Sequence, residues 1–172
     1  MNFSKYYRCI ITCGSNSTTS TAKLVTYIDN TIINFPHTEI FPGSALPCGW
    51  SVQNVNNDTK TWLPIQSTYR SPTYCMYYTK STTLPADDWL FSAPIAMTAG
   101  QSYGVRFFYR SATNTQPEKL EVKWGSSPNV ASMTSSAIFS NTNITNVLYT
   151  GTNTAVITPT TTGVYYVGFR VF

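Results

Sequence analysis

The chain has 172 residues with 11 basic against 7 acidic side chains, a net charge of +4, and it is 10% charged but 15% aromatic. That length suffices for one sandwich or barrel, since a domain of about 150 residues buries roughly 70% of its unfolded surface. No window clusters Lys and Arg as a phosphate-tracking surface requires, and no apolar run reaches the length of a membrane helix, so nucleic-acid binding and membrane insertion are not expected. Residues 1–8 are too polar for a signal peptide, which places any secretion signal upstream of this sequence.

The polar remainder is mostly Thr, Ser and Asn. These residues compete for backbone hydrogen bonds inside helices, whereas Thr and Tyr suit a pleated, half-buried surface, so the composition points to all-β. In chain order, strands are predicted at 6–12, 22–27, 50–55, 74–78, 89–91, 103–110, 119–124, 154–158 and 164–172, with period-two alternation or short apolar runs. Pro42-Gly43, Asn56-Asn57-Asp58, Ala99-Gly100, Ser126-Ser127-Pro128-Asn129 and Thr162-Gly163 supply turns between them. The one helical turn expected is 129–133.

A boundary is predicted within 27–35, separating an N-terminal β-hairpin (1–28) from a longer β domain (29–172). An isolated hairpin is marginal in water, so this one has to lean on the main domain or on strands from a partner. Four cysteines, Cys9, Cys13, Cys48 and Cys75, form no paired C-x-x-C knuckle, and with one histidine, His37, a structural zinc site is not expected. Disulfides and buried thiols both stay open. Of the pairings, Cys48 with Cys75 is favoured in the main domain, and Cys9 with Cys13 requires a bent strand.

Tyr7-Arg8-Cys9-Ile10-Ile11-Thr12-Cys13, a Gly-Ser-Asn turn and the strand at 21–26 resemble the last two strands of an immunoglobulin-like domain. Tyr-x-Cys there is similar to the tyrosine corner, in which the cysteine faces the core; an ordinary hairpin of the main domain is the alternative. From Phe35 onward, five stretches carry a second resemblance. They are Thr38-Glu39-Ile40-Phe41 with Leu46-Pro47-Cys48-Gly49-Trp50; Asn57-Asp58-Thr59-Lys60-Thr61-Trp62; Ala86-Asp87-Asp88-Trp89-Leu90-Phe91-Ser92-Ala93-Pro94-Ile95; Glu118-Lys119-Leu120-Glu121-Val122-Lys123-Trp124-Gly125; and Gly163-Val164-Tyr165-Tyr166-Val167-Gly168-Phe169. In this order they resemble the cleaved-adhesin, or choice-of-anchor J type, modules of Bacteroidota surface proteins.

The resemblance implies an antiparallel jelly-roll β-sandwich, similar to MAM and galactose-binding-like domains. In such a core Trp50, Trp62, Trp89 and Trp124 would each bury a large surface, with their indole N–H groups partnered at its edge. It implies calcium held near the acidic residue before the first strand and near the Asp-Asp-Trp turn, nominating Glu39, Asp87 and Asp88, with Asp58 as a fourth. Calcium takes six to eight oxygens from carboxylates, amides and carbonyls. Here Asn56-Asn57-Asp58 replaces a more acidic family loop, which lowers the charge available to a second site. The competing reading of Asp87 and Asp88 is a solvated turn that caps backbone N–H groups.

No catalytic residues are nominated: His37 lacks a G-x-S-x-G elbow or a thiol partner arrangement, and carboxylate pairing is not readable from spacing. The tyrosine surplus suits either sugar-stacking and interface contacts or the padding of sheet faces. The expected function is a non-catalytic adhesion module of an extracellular or cell-surface multidomain protein, binding a host or bacterial surface protein or glycan. An accessory carbohydrate-binding module, and a filament subunit self-assembling through its N-terminal hairpin by strand addition, are the alternatives.

Overall fold

The computed structural model describes residues 4–26, 28–66, 70 and 73–172, and the chain divides into two units, residues 1–30 and 31–172. The division falls two residues beyond the expected boundary; Tyr27, the end of the second predicted strand, lies outside the described residues.

Unit one is the hairpin. Its strands are β1 (Lys5–Tyr7), β2 (Ile10–Cys13), β3 (Asn16–Thr19) and β4 (Lys23–Val25), with β2 antiparallel to β3 and β1 antiparallel to β4. Cys13 pairs with Asn16 across a two-residue turn, and Gly14 takes φ +62° there, a left-handed conformation that glycine adopts without a Cβ clash. Where each arm breaks, Ser20 N–H donates to the Cys9 carbonyl at 2.9 Å and Ser20 Oγ accepts from Cys9 N–H at 3.0 Å, so the two short ladders read as one ribbon. The cysteine predicted to face a core, Cys9, is exposed, as is Cys13.

Unit two contains β5 (Ser51–Asn54), β6 (Trp62–Ile65), β7 (Cys75–Tyr78), β8 (Asp88–Phe91), β9 (Ile95–Met97), β10 (Tyr103–Val105), β11 (Phe108–Tyr109), β12 (Glu118–Gly125), β13 (Phe139–Ile144), β14 (Thr150–Gly151), β15 (Ala155–Ile157) and β16 (Gly163–Val171). Six of them form one sheet in the order β13-β12-β16-β8-β5, with β9 pairing the start of β16. Three antiparallel ribbons, β6/β7, β10/β15 and β11/β14, complete the strands. Period two then sorts the side chains. Leu120 and Val122 of β12 and Tyr165 and Val167 of β16 pack with Met97, Ile144 and Ile157, and against them lie Trp62, Tyr103, Val105 and Tyr109 from the ribbons and Phe107 from between β10 and β11. A fold of this kind, antiparallel and nearly helix-free with sheet faces closing on apolar residues, is of the all-β class that the composition predicted and is the β-sandwich that the resemblance implied.

The opposite face of β8 has its own small core. Trp89 and Phe91 stack with ring centroids 5.8 Å apart and planes 9° from parallel, as their i, i+2 spacing dictates, and Met133 closes over them. Met133 is held there by the predicted helical turn, a 3₁₀ turn at Val130–Ser132 whose N-cap, Asn129, accepts Ser132 N–H through its side chain at 3.0 Å.

Several predictions need correcting. The structure closes neither cysteine bridge: Cys48 is exposed beside Gly49, whereas Cys75 begins β7 with Tyr149 as its neighbour. Trp62 Nε1 finds an acceptor, the Asp88 carbonyl at 3.2 Å, but the buried Trp50 and Trp89 indoles have no hydrogen-bond partner among the described residues. The predicted 103–110 strand splits into β10 and β11. Strands β3, β6, β9, β13 and β14 were not predicted: Asn16 was assigned to the turn that precedes β3, Pro64 interrupts β6, and Ser140-Asn141-Thr142-Asn143 lends β13 no apolar alternation. Proline is tolerated in β6 because β7 is its only strand partner among the described residues, leaving one side of the strand unladdered there.

Candidate functional site

Register brings the candidate site together. On β5 and β8, Asn54 sits opposite Asp88, and on β6 and β7, Trp62 sits opposite Tyr78. The bond from Trp62 Nε1 to the Asp88 carbonyl ties the second pair to the first, and Asn54 Nδ2 donates to the Lys60 carbonyl at 3.0 Å, fixing the intervening loop. In that loop Asn56 Oδ1 accepts Asp58 N–H at 3.2 Å and Asp58 Oδ1 accepts Lys60 N–H at 2.8 Å. Asn57 and Thr59 both take left-handed φ, +55° and +69°. Asn tolerates that region, but a β-branched Thr there costs on the order of 1–3 kcal/mol, strain that tends to collect at functional sites.

The result is a set of buried oxygens with unspent capacity. Asp88 is fully buried, yet neither Oδ1 nor Oδ2 has a hydrogen-bond partner among the described residues. The same holds for Asp58 Oδ2, Asn54 Oδ1, Thr61 Oγ1 and Tyr78 OH. Tyr78 and Thr61 are polar neighbours of the Asp88 carboxyl that favour its ionised form without closing a hydrogen bond to it. Desolvation dominates and raises the Asp88 pKa above the ordinary carboxylate value, with the Asp58 charge adding to it. Burial, then the charges of Asp88 and Asp58, hold the Tyr78 phenol protonated far above its usual range.

Of the four acidic residues nominated by sequence, Asp58 and Asp88 meet here. Asp87 and Glu39 are engaged elsewhere. Adjacent strand residues point to opposite faces, so Asp87 turns away from Asp88 and its Oδ1 accepts Arg170 Nε at 2.8 Å. Arg170 also approaches Glu121 at 3.7 Å, and Glu121 pairs with Lys123 at 3.3 Å. Glu39 Oε1 accepts Phe41 N–H at 2.8 Å, stabilising the left-handed turn at Phe41, whose ring meets Trp50 edge-on at 5.2 Å. Asn54, Thr61 and Tyr78 were missed in the sequence because their relevance depends on cross-strand register. No group of three or more His, Cys, Asp and Glu side chains able to hold a metal occurs among the described residues. The donors gathered here are instead two carboxylates with amide and hydroxyl oxygens, a hard-oxygen set that fits calcium and not zinc. His37 is exposed in its loop.

No protein-family model matches the chain, and no curated protein matches it. Among solved structures it is similar to the K1 cleaved adhesin domain of Lys-gingipain from Porphyromonas gingivalis W83, with a TM-score of 0.59 and 21% identity over 78% of this chain and 86% of that one. The K3 cleaved adhesin domain of the same protein gives a TM-score of 0.59 and 17% identity over 78% and 85% of the two chains. The likeness to these two structures shows that the chain carries the β-sandwich fold of the cleaved adhesin domains.

Proposed function

We propose that this chain is a non-catalytic adhesion module of an extracellular or cell-surface multidomain protein, stabilised by calcium at the rim of its sandwich. The observation that carries the calcium reading is the set of buried oxygens around Asp88, for which a hard cation would compensate. Asp88 and Asp58 would supply the charge, and Asn54, Thr61 and Tyr78 the neutral oxygens. Bound calcium would make the buried carboxylate favourable and fix the strained 56–60 loop between β5 and β6.

The fold supports an adhesion role, and the single exposed histidine is a poor basis for acid–base chemistry. The hairpin is read as the end of an immunoglobulin-like domain. A second reading, strand addition through that hairpin, draws on its exposed apolar residues: Tyr6, Ile10, Ile11 and Val25 are each more than half exposed.

Calcium at millimolar concentration is expected to raise the melting midpoint relative to EDTA. Extracellular calcium modules bind with Kd of about 10⁻⁴–10⁻³ M, so 10 mM calcium contributes roughly 1.4–2.7 kcal/mol, or about 3–11 °C for a domain of this size. An unchanged midpoint would remove the metal from the proposal. The adhesion reading is tested on immobilised glycans and surface proteins, where retention without release of reducing ends or peptides is expected. Measurable hydrolysis would overturn it.

A further inference from the structure

Away from the calcium-type site, the β11/β14 ribbon presents an outward face of unusual composition. Phe107 and Tyr109 pack into the core, so alternation turns Arg106, Phe108 and Arg110 outward. Across the ribbon Phe108 pairs with Gly151 and Tyr109 with Thr150, which sets Tyr149 beside Arg110. Two guanidinium groups share the Phe108 ring: Arg70 lies 3.6 Å from its centroid and Arg106 5.4 Å. Arg110 lies 5.8 Å from the Tyr149 ring and donates to the Val147 carbonyl at 2.7 Å.

Gly151 makes the Phe108 arrangement possible. A Cβ at this position would come within 2.8 Å of the Phe108 ring and 3.3 Å of an Arg106 nitrogen. The ion pairs among the described residues join Lys123 to Glu121 and Arg170 to Asp87 and Glu121, so Arg70 and Arg106 are neutralised by none of them. A guanidinium lying over an aromatic ring is positioned by its face, while its N–H edge stays available for bidentate contacts with an oxyanion.

We propose that this ribbon face is a binding site for a sulfated glycan chain, with Arg70 and Arg106 as the anion-contacting residues and Phe108 as the ring that holds them. The assignment rests on the adhesion reading and names its ligand class. The charges stand on the face of the ribbon and not along a strand edge, so an extended peptide would gain no backbone pairing from them. Arg106 and Arg110 flank β11 four residues apart, at most about 14 Å along the chain, so the site suits a chain whose anionic groups recur along it. Three arginines within one patch are too few for the phosphate tracking by which nucleic acids are held.

Heparin is the probe, with full-length chain in calcium measured by surface plasmon resonance. Wild type is expected to bind, with affinity falling as salt rises. The Arg70→Gln/Arg106→Gln double variant should lose at least tenfold in affinity with its melting midpoint unchanged. Gly151→Ala, which leaves the charge untouched but displaces the Phe108 ring, should lose several-fold. Undiminished heparin binding by the double variant overturns the site, and equal competition by polyglutamate overturns the glycan. A chain that ignores heparin yet retains another glycan or a surface protein sinks this inference while the adhesion reading stands; silence on every ligand sinks both.

Discussion

Replacing Asp88 with Asn is expected to raise the melting midpoint in EDTA and to abolish most of the calcium response, so that wild type and variant exchange rank when calcium is added. Asp88 is a fully buried carboxylate with no hydrogen-bond partner among the described residues. A buried polar group left without partners costs about 1–3 kcal/mol, more when charged, and an amide of the same shape removes the charge.

The pH dependence follows from the raised Asp88 pKa, caused first by desolvation and then by Asp58. The folded pKa lies above the unfolded one, so the stability contributed by this group is fully present below the unfolded value and lost as pH rises through the folded value. In EDTA, therefore, the advantage of Asp88→Asn should be small near pH 4 and largest at neutral pH. Calcium reverses the sign because it favours the ionised carboxylate. Melting curves of both proteins at two pH values, with and without calcium, check every part of this. A variant less stable than wild type in EDTA at pH 7 would show that Asp88 already has a compensating partner.

Gly125→Ala is expected to destabilise the fold by at least about 3 kcal/mol, beyond the usual cost of inserting one methyl into a packed site. The last residue of β12 faces the 3₁₀ turn, and a Cβ there would sit 2.0 Å from the Ser132 carbonyl oxygen and 2.7 Å from its carbon. Those are backbone atoms, so no rotamer change relieves the overlap. The turn has to move as a whole, and with it Met133, which closes the core over Trp89 and Phe91. Gly43→Ala is the control: nothing lies within 4 Å of its Cβ position and its φ is not left-handed, so chemical denaturation should find it within about 1 kcal/mol of wild type. Similar midpoints for the two variants would mean that the 3₁₀ turn shifts without penalty.

The architecture was legible where side-chain pattern and burial coincide. Trp89 and Phe91 share one face and Asn129 starts the single 3₁₀ turn, both from local rules that act within a few residues. Legibility failed where a strand owes its state to its neighbours. β13 reads Phe-Ser-Asn-Thr-Asn-Ile and is a strand because β12 pairs with it at the sheet's edge, where polar side chains face water.

The candidate site divides in the same way. Asp58 and Asp88 carry visible charge and could be nominated, but the family pattern grouped Asp88 with Asp87, and strand alternation separates them. Asn54, Thr61 and Tyr78 could not be distinguished from the many other Asn, Thr and Tyr residues until pairing placed them beside Asp88. Arg70 and Arg106, 36 positions apart in sequence, share a ring only through tertiary packing.

The strand in the middle of the large sheet is also the last of that sheet's strands in chain order. β16 lies between β12 and β8, and these two are joined in the sheet only through it. On the ribosome, then, β5 with β8 and β12 with β13 can exist only as separate, half-finished patches exposing their unpaired strands until residues 163–171 emerge. Assembly of the sheet therefore waits on long-range pairing with β16, the regime in which β-rich chains fold on the order of milliseconds to seconds.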